Sequence, residues 1–211
     1  MKRFAIITEA EARVLEPGSS VELSRGGHIT PLAIDTLRER RVTVVRADGV
    51  DLGGHSALAP PGEIRTVAIA SDHTGVAMKR AIVERLRGRG VRVLDLGTEG
   101  SDPVDYPDTA AAVARAVAHG EAEAGVAIDG AGIGSAIAAN KIDGVRAALG
   151  LNPTLARYAR EHNGANVLTL GSTLQTPEEA WAAVEVFVST PMTEARYIRR
   201  LAKVRHLERH G

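Results

Sequence analysis

GVAIDGAGIGSAIAANK, residues 125–141, is the stretch that decides the fold. The apolar residues 125–128 are typical of the end of a buried strand, and the glycines that follow predict a turn over residues 129–134. Residues 135–141 contain small, helix-compatible side chains and predict the first turns of a helix. The stretch therefore indicates a strand, a glycine-rich turn and a helix in succession.

This turn has the features of an anion-binding site. Gly130, Gly132 and Gly134 allow backbone conformations that other residues avoid, so that amide groups can point at a bound group. The following helix adds its unpaired N-terminal amides and the positive end of its dipole. Asp129 stands at the entrance of the turn, and a carboxylate beside an anion site suggests a chemical role. A glycine turn after a strand is nevertheless common in α/β proteins, so the rest of the chain has to support this interpretation.

Composition narrows the class of protein. The 211 residues are 44% hydrophobic and only 3% aromatic, so we expect a mainly aliphatic core. Lys plus Arg and Asp plus Glu balance at 26 each, which gives no reason to expect a nucleic-acid or membrane partner. We find neither a membrane-spanning run nor a signal peptide and expect a cytoplasmic protein. The absence of cysteine excludes disulfides, thiolate metal sites and a cysteine base.

From Thr66 onward, strand and helix patterns alternate about five times. Strands are predicted at residues 66–70, 91–96, 124–128, 145–149 and 166–170, and helices between and after them at residues 76–89, 109–119, 153–161 and 177–188. The alternation predicts an α/β fold with an open parallel sheet of about five strands and helices on both faces. Ligands of such sheets bind outside the carboxyl ends of the strands.

Polar residues near the strand ends are the candidates for chemistry. Asp72 and His73 follow the first strand of this region, Asp129 follows the third, and His162 and Asn163 precede the fifth. Each could simply cap a helix. Together, we expect them to meet at one edge of the sheet.

A basic helix is predicted near the end of the chain, at residues 193–205. Arg196 and Arg200 are four residues apart and therefore share one face of this helix. Such helices are often merely solvated, but this pair could bind a phosphate group.

Residues 1–63 differ from residues 64–211, and two prolines place the boundary near residue 62. The predicted elements here are strands at residues 4–7 and 42–45 and a helix at residues 31–40. The pieces EPGSS, SRGGH and LGGHSALAPPGE are interpreted as turns and linker, with His28 and His55 in surface loops. The segment is too short to hold much of a core, so we expect it to dock on the main domain or on a partner.

Residues 66 to about 205 resemble the ribose-5-phosphate isomerase B family, which includes the galactose-6-phosphate isomerase subunits. The motifs that carry the resemblance are, in order, ASDHTGVAMK, VDYPD, GAGIGSAIAANK, GVRAAL, AREHNGANVLTLG and STPMTEARYIRRLAKV. The resemblance implies a Rossmann-like fold and the interconversion of aldose and ketose phosphates with no metal and no cofactor. It also implies a homodimer or homotetramer with active sites between subunits.

The resemblance also implies roles for individual residues. Asp72 and His73 would lie at the sugar ring and phosphate, His162 would help to open the ring, and Asn163 would bind the sugar across a subunit interface. Tyr106 would line the pocket. Phosphate would bind Arg196 and Arg200, and an enediolate would be stabilised by the backbone of Gly130, Ala131, Gly132, Ile133 and Gly134.

The chain departs from the family at the position of the proton-transfer base. That base is a cysteine directly before the glycine turn or a glutamate just after it, whereas these positions hold Asp129 and Ser135. A common hydroxyl residue in the turn is replaced by Ala131, and a common arginine by Thr173. Our hypothesis is that Asp129 is the base and moves a proton between adjacent carbons through a cis-enediolate.

Three other functions compete with this hypothesis. The same chemistry could act on a tetrose, another pentose or a hexose phosphate. Alternatively, the chain could be an inactive sugar-phosphate-binding or scaffold protein whose N-terminal segment is an interaction arm; residues 28–42, HITPLAIDTLRERRV, resemble segments of proteins associated with bacterial microcompartments. A nicotinamide-binding domain is disfavoured because the glycine turn follows the third strand and lacks the GxGxxG pattern.

Overall fold

The computed structural model describes residues 2–46, 59–62 and 64–210. The chain divides into two compact units, Met1–Leu58 and Ala59–Gly211. None of the helices within the described ranges is both long and apolar enough to cross a membrane. His55 and most of the predicted linker lie outside these ranges.

The first unit has a three-stranded parallel sheet in the order β1-β2-β3. Its elements are β1 (Lys2–Ile7), α1 (Glu9–Val14), β2 (Ser20–Ile29), α2 (Pro31–Glu39) and β3 (Thr43–Arg46). The expectation that this segment is too short to hold much of a core is wrong, because its strands and helices together bury a cluster of nine apolar side chains. These are Ile7, Ala12, Leu15, Val21, Leu23, Ala33, Leu37, Val42 and Val44.

The piece SRGGH was predicted to be a turn but is part of β2. Phe4 of β1 pairs with Leu23 of β2, and Ile6 of β1 pairs with His28 of β2. Between these two pairs, β1 advances by two residues while β2 advances by five. The extra residues form an irregularity that keeps the strand in the sheet on both sides of it. His28 is exposed in this strand rather than in a loop.

The second unit confirms the predicted α/β architecture. Its elements are β4 (Thr66–Ser71), α3 (Val76–Gly88), β5 (Arg92–Asp95), α4 (Tyr106–Ala118), β6 (Ala124–Asp129), α5 (Ile133–Ala139), β7 (Ala147–Leu149), α6 (Pro153–Asn163), β8 (Val167–Gly171), α7 (Pro177–Ser189) and α8 (Ala195–His210). All five strands are parallel, in the order β5-β4-β6-β8-β7.

Helices cover both faces of this sheet. One face packs against α3, α6 and α7 through aliphatic side chains such as Ile82 and Val184, and the other packs against α4 and α5 through small ones such as Ala110 and Ala139. Every residue of β6 and β8 is buried, as expected for central parallel strands. Trp181 of α7 is partly buried against the apolar cluster on the face covered by α3, α6 and α7.

Two helix boundaries differ from prediction in ways that affect the site. Helix α4 begins at Tyr106 rather than residue 109, because Pro107 stands in the first turn, where its missing N–H costs nothing. Helix α6 continues through Asn163 and ends at Gly164, which adopts a left-handed conformation with φ 62°. His162 and Asn163 therefore belong to the last turn of α6.

Candidate active site

The carboxylate of Asp129 is buried inside the turn that follows β6, with only 4% of the residue exposed. Its Oδ1 accepts the N–H groups of Ala131 (2.8 Å) and Gly132. Its Oδ2 accepts both the N–H and the hydroxyl of Ser135, at 2.8 and 2.6 Å. The four donors match the roughly four acceptor positions of a carboxylate, so Asp129 holds the turn in shape.

Asp72 occupies the equivalent place after β4 and is 6% exposed. Its Oδ1 accepts hydrogen bonds from the backbone and hydroxyl of Thr74 and from the N–H of Gly75. Its Oδ2 accepts none from the described residues. Asp72 thus holds the turn that leads into α3 with one oxygen, and its other oxygen is not used by the described residues.

Hydroxyl groups join the turns after β4, β6 and β8. Thr74 Oγ1 lies 3.1 Å from Ser172 Oγ, and Ser172 donates its backbone N–H (2.8 Å) and its hydroxyl (3.1 Å) to the Asp129 carbonyl. Thr173 donates its hydroxyl to the Gly130 carbonyl at 2.5 Å. Ser172 is not among the residues predicted for the site, although its place directly after β8 is a signal that identifies it.

The glycine turn depends on close backbone packing. Gly132 has φ 76°, and a Cβ atom there would lie 2.9 Å from the backbone of Leu170. At Gly134, a Cβ would lie 2.5 Å from the ring of Tyr106, so the missing side chain makes room for that ring. The N–H groups of Ile133 and Gly134, at the start of α5, make no hydrogen bond to any described residue and remain available.

His73 is positioned by the loop that precedes α4. Its Nδ1 accepts the backbone N–H of Val104 at 3.3 Å. In the neutral imidazole this bond leaves the proton on Nε2. The carboxyl edge of the sheet thus brings Asp72, His73 and Tyr106 together around the Asp129 turn.

The prediction that His162 and Asn163 share this edge is wrong. Helix α6 runs antiparallel to the strands, so its last residues return to the amino ends, where Asn166 hydrogen-bonds Gly125 near the start of β6 and Arg146 directly before β7. His162 and Asn163 precede a strand, whereas Asp72 and Asp129 lie at the ends of strands, and the two kinds of position belong to opposite edges of a parallel sheet. At about 3.3 Å per residue, the length of β6 separates the two edges by more than 15 Å.

A second polar cluster is formed at this amino edge by α6 and α8. The His162 ring stacks between those of Tyr158 and Tyr197 at centroid distances of 4.7 and 4.2 Å. Arg196 and Arg200 of α8 lie over Tyr197. Asn163 donates its side-chain N–H to the Tyr158 carbonyl at 3.0 Å, and its amide oxygen accepts no hydrogen bond from the residues that the structure describes.

Buried guanidinium groups stabilise the backbone beside this cluster. Arg160 is 1% exposed and donates to the carbonyls of Ala165 and Pro61. Burial, with a smaller contribution from nearby Arg146, lowers the pKa of Arg160 to about 10. Burial also lowers the pKa of Arg146, whose Nε donates to Gly164 at 2.7 Å. These bonds fix the chain reversal that follows His162.

Comparisons with known proteins assign this second unit to a family. Residues 67–204 match the model of the Ribose/Galactose Isomerase family. Ribose-5-phosphate isomerase B of Escherichia coli (strain K12) is 39% identical over 145 residues, which cover 69% of this chain and 97% of that protein.

Solved structures agree with this assignment. Ribose-5-phosphate isomerase B of Clostridium thermocellum is 41% identical with a TM-score of 0.67, and the match covers 69% of this chain and 98% of that one. The enzyme of the same name from Mycoplasma genitalium, crystallised with bound ribulose-5-phosphate, is 38% identical with a TM-score of 0.66 over 69% and 97% of the two chains. This chain therefore belongs to the ribose/galactose isomerase family.

Proposed function

We propose that the chain interconverts the aldose and ketose forms of a phosphorylated sugar, ribose 5-phosphate and ribulose 5-phosphate or a related pair. The observation that carries this proposal is the turn after β6, where the Asp129 carboxylate adjoins the N–H groups of Ile133 and Gly134, which bond no described residue, in a chain of this family. The relative bound to ribulose-5-phosphate supports the same class of substrate.

The reaction needs a base and a group that stabilises negative charge on oxygen. The base removes a proton from the carbon beside the carbonyl and returns it to the neighbouring carbon, through a cis-enediolate. The amides of Ile133 and Gly134 are suited to the oxygen on which charge develops. Asp129 is the candidate base because it occupies the family's base position before the turn.

The contacts of Asp129 set a condition on this role. Both of its oxygens are engaged, so it can take a substrate proton only after one donor moves away. The Ser135 hydroxyl is the donor that can do so, because rotation about a single bond redirects it, whereas the three backbone N–H donors are fixed by the turn. The proposal therefore includes a rotation of Ser135 when substrate binds.

We further propose that a second copy of the chain completes the site. His162, Asn163, Arg196 and Arg200 lie at the amino edge, too far from Asp129 of the same copy to contact one small sugar. Exposed apolar side chains on α5, on α6 and next to them support an interface between copies. They are Ile133, Ile137, Leu151, Leu155, Tyr158 and Leu174. The proposed assembly is a homodimer or a homotetramer.

A panel of aldose phosphates with four, five and six carbons tests the function, with ketose formation followed by a coupled assay or by NMR. Turnover of one of them at a rate that depends on Asp129 is the expected result. Thr173 replaces a positive charge common in the family, so the preferred chain length is an outcome of the panel. Binding of these sugars without turnover of any of them would instead support the sugar-phosphate-binding alternative.

A further inference from the structure

The imidazole of His162 is enclosed between two tyrosine rings. The Tyr158 ring is nearly parallel to it at 15°, and the Tyr197 ring lies on the other side at 28°. We propose that Tyr158 and Tyr197 are positioning residues that hold the His162 ring in the orientation needed to open a cyclic sugar. This inference rests on the proposed function.

Guanidinium groups extend the stack on both sides. Arg157 lies 4.9 Å from the centre of the Tyr158 ring, and Arg196 lies 4.7 Å from that of Tyr197. Arg196 also donates to the Tyr197 hydroxyl at 3.0 Å. Cations favour the faces of aromatic rings, so these contacts hold both tyrosines in place. Tyr197 thereby connects the candidate phosphate-binding Arg196 with His162.

The stack restricts where His162 can react. The ring nitrogens of an imidazole exchange protons in the plane of the ring, so the two stacked tyrosines fix the directions in which these nitrogens can react. Its side chain is 31% exposed, and Nε2 lies 3.9 Å from the nearest Glu161 oxygen, which is too far for a hydrogen bond. No described residue hydrogen-bonds this nitrogen, so ring packing fixes its direction, and the part of the chain that the structure describes leaves it open to substrate.

Ring opening is the step that such an edge nitrogen can serve. In a cyclic aldose 5-phosphate, the bond between C1 and the ring oxygen breaks, the C1 hydroxyl gives up its proton, and the ring oxygen gains one. The products are an aldehyde and a free hydroxyl group. Ribulose 5-phosphate cannot form the corresponding five-membered ring, because its O5 carries the phosphate, so its enolisation does not need this step.

Two assays of a Tyr197→Leu variant, one that starts from the cyclic aldose and one from the open-chain ketose, therefore distinguish ring opening from proton transfer. We expect Tyr197→Leu to lower kcat for ribose 5-phosphate about 10- to 100-fold, the usual cost of a misplaced catalytic group. Deuterium incorporation from D2O at C1 of ribulose 5-phosphate, which needs only enolisation, is expected to fall less than threefold. Tyr197→Phe keeps the aromatic ring, so its kcat for ribose 5-phosphate is expected to fall much less. Leu207→Ala, at a 70% exposed position of α8, is the neutral control.

NMR tests the stack independently of catalysis. Protons above and below aromatic faces are shifted upfield, so the His162 Hε1 resonance, identified by its loss in His162→Gln, is expected to move downfield in Tyr197→Leu. An unmoved resonance, an unchanged rate with ribose 5-phosphate, or equal losses in both reactions would overturn the inference. A wild-type chain that turns over none of the four-, five- and six-carbon aldose phosphates and exchanges none of the corresponding ketoses would overturn the proposed function instead, while the NMR shift would still decide whether the stack exists.

Discussion

Two roles compete for the four acceptor positions of the Asp129 carboxylate. As a structural group it satisfies the backbone of its own turn, and as a base it must present a lone pair to a carbon-bound proton. The residue type and its place before the turn could be predicted from the sequence. The four donors could not, because they depend on how the following residues fold back on the carboxylate.

Asp129→Asn tests the proposed base. The amide oxygen can still accept from Ala131 and Gly132, but its NH2 group would face the N–H of Ser135. We expect kcat to fall by about two to four orders of magnitude, as is usual for loss of a general base. Ribulose 5-phosphate affinity, measured by calorimetry, should change only a few-fold. Asp143→Asn makes the same change at an exposed position and should be neutral, and a fully active Asp129→Asn variant would rule out Asp129 as the base.

Substitutions at two glycines of the turn are expected to have different effects, one on substrate binding and the other on stability. Gly134→Ala would push the Tyr106 ring away, and because Tyr106 is 41% exposed the ring can move at a cost of under about 1 kcal/mol. We expect near-normal thermal stability with a raised KM. Gly132→Ala would meet fixed backbone at positive φ, and we expect it to destabilise the fold by about 2 kcal/mol or more. Thermal unfolding with steady-state kinetics measures both, and the reverse pattern would contradict this picture of the turn.

Secondary structure elements were easier to predict than their meeting points. Short apolar runs between the helix patterns predicted every strand of the second unit, because strands buried on both faces of a parallel sheet are continuously hydrophobic. In the first unit, Gly26 and Gly27 suggested a turn, and only pairing with β1 keeps that piece in a strand. The misplaced His162 has a different cause: sequence order says that a residue is near a strand, but only the direction of the preceding helix says at which end.

Helix α3 is attached to the loop after β5 by a buried cation. Lys79 Nζ lies 2.6 Å from Asp95 and 2.9 Å from Glu99, and the Lys79 side chain is fully buried. Lys79→Met leaves both carboxylates without this partner, and because their side chains are 24% and 67% exposed, we expect the free energy of unfolding to fall by about 1–3 kcal/mol in denaturant titration. Arg80→Met is the matched control, since Arg80 contacts the same Glu99 at 3.8 Å with both side chains exposed. For Arg80→Met we expect the free energy of unfolding to fall by less than about 0.5 kcal/mol. Equal losses in the two variants would contradict the proposal that the buried Lys79 contact stabilises the fold.

At the scale of the whole molecule, the two polar clusters occupy opposite edges of one sheet. Asp129→Asn disables one cluster and His162→Ala the other. If a site combines clusters from two copies, mixing these inactive variants regenerates one intact site in each hybrid dimer, or about a quarter of wild-type activity after random exchange. Activity measured after refolding the two variants together tests this, and each variant refolded alone is the control. No recovery, with hybrids detected by mass spectrometry, would argue against shared sites.

The position of Trp181 has a practical consequence for measuring stability. It is the sole tryptophan of the sequence and lies in the second unit, under Arg85 and Arg89, while the first unit has a separate core. Intrinsic fluorescence excited at the tryptophan band therefore follows the melting of the catalytic unit alone, whereas far-ultraviolet circular dichroism sums the helices and strands of both. Where the two signals diverge on heating, a single melting temperature does not describe this chain, and each unit needs its own.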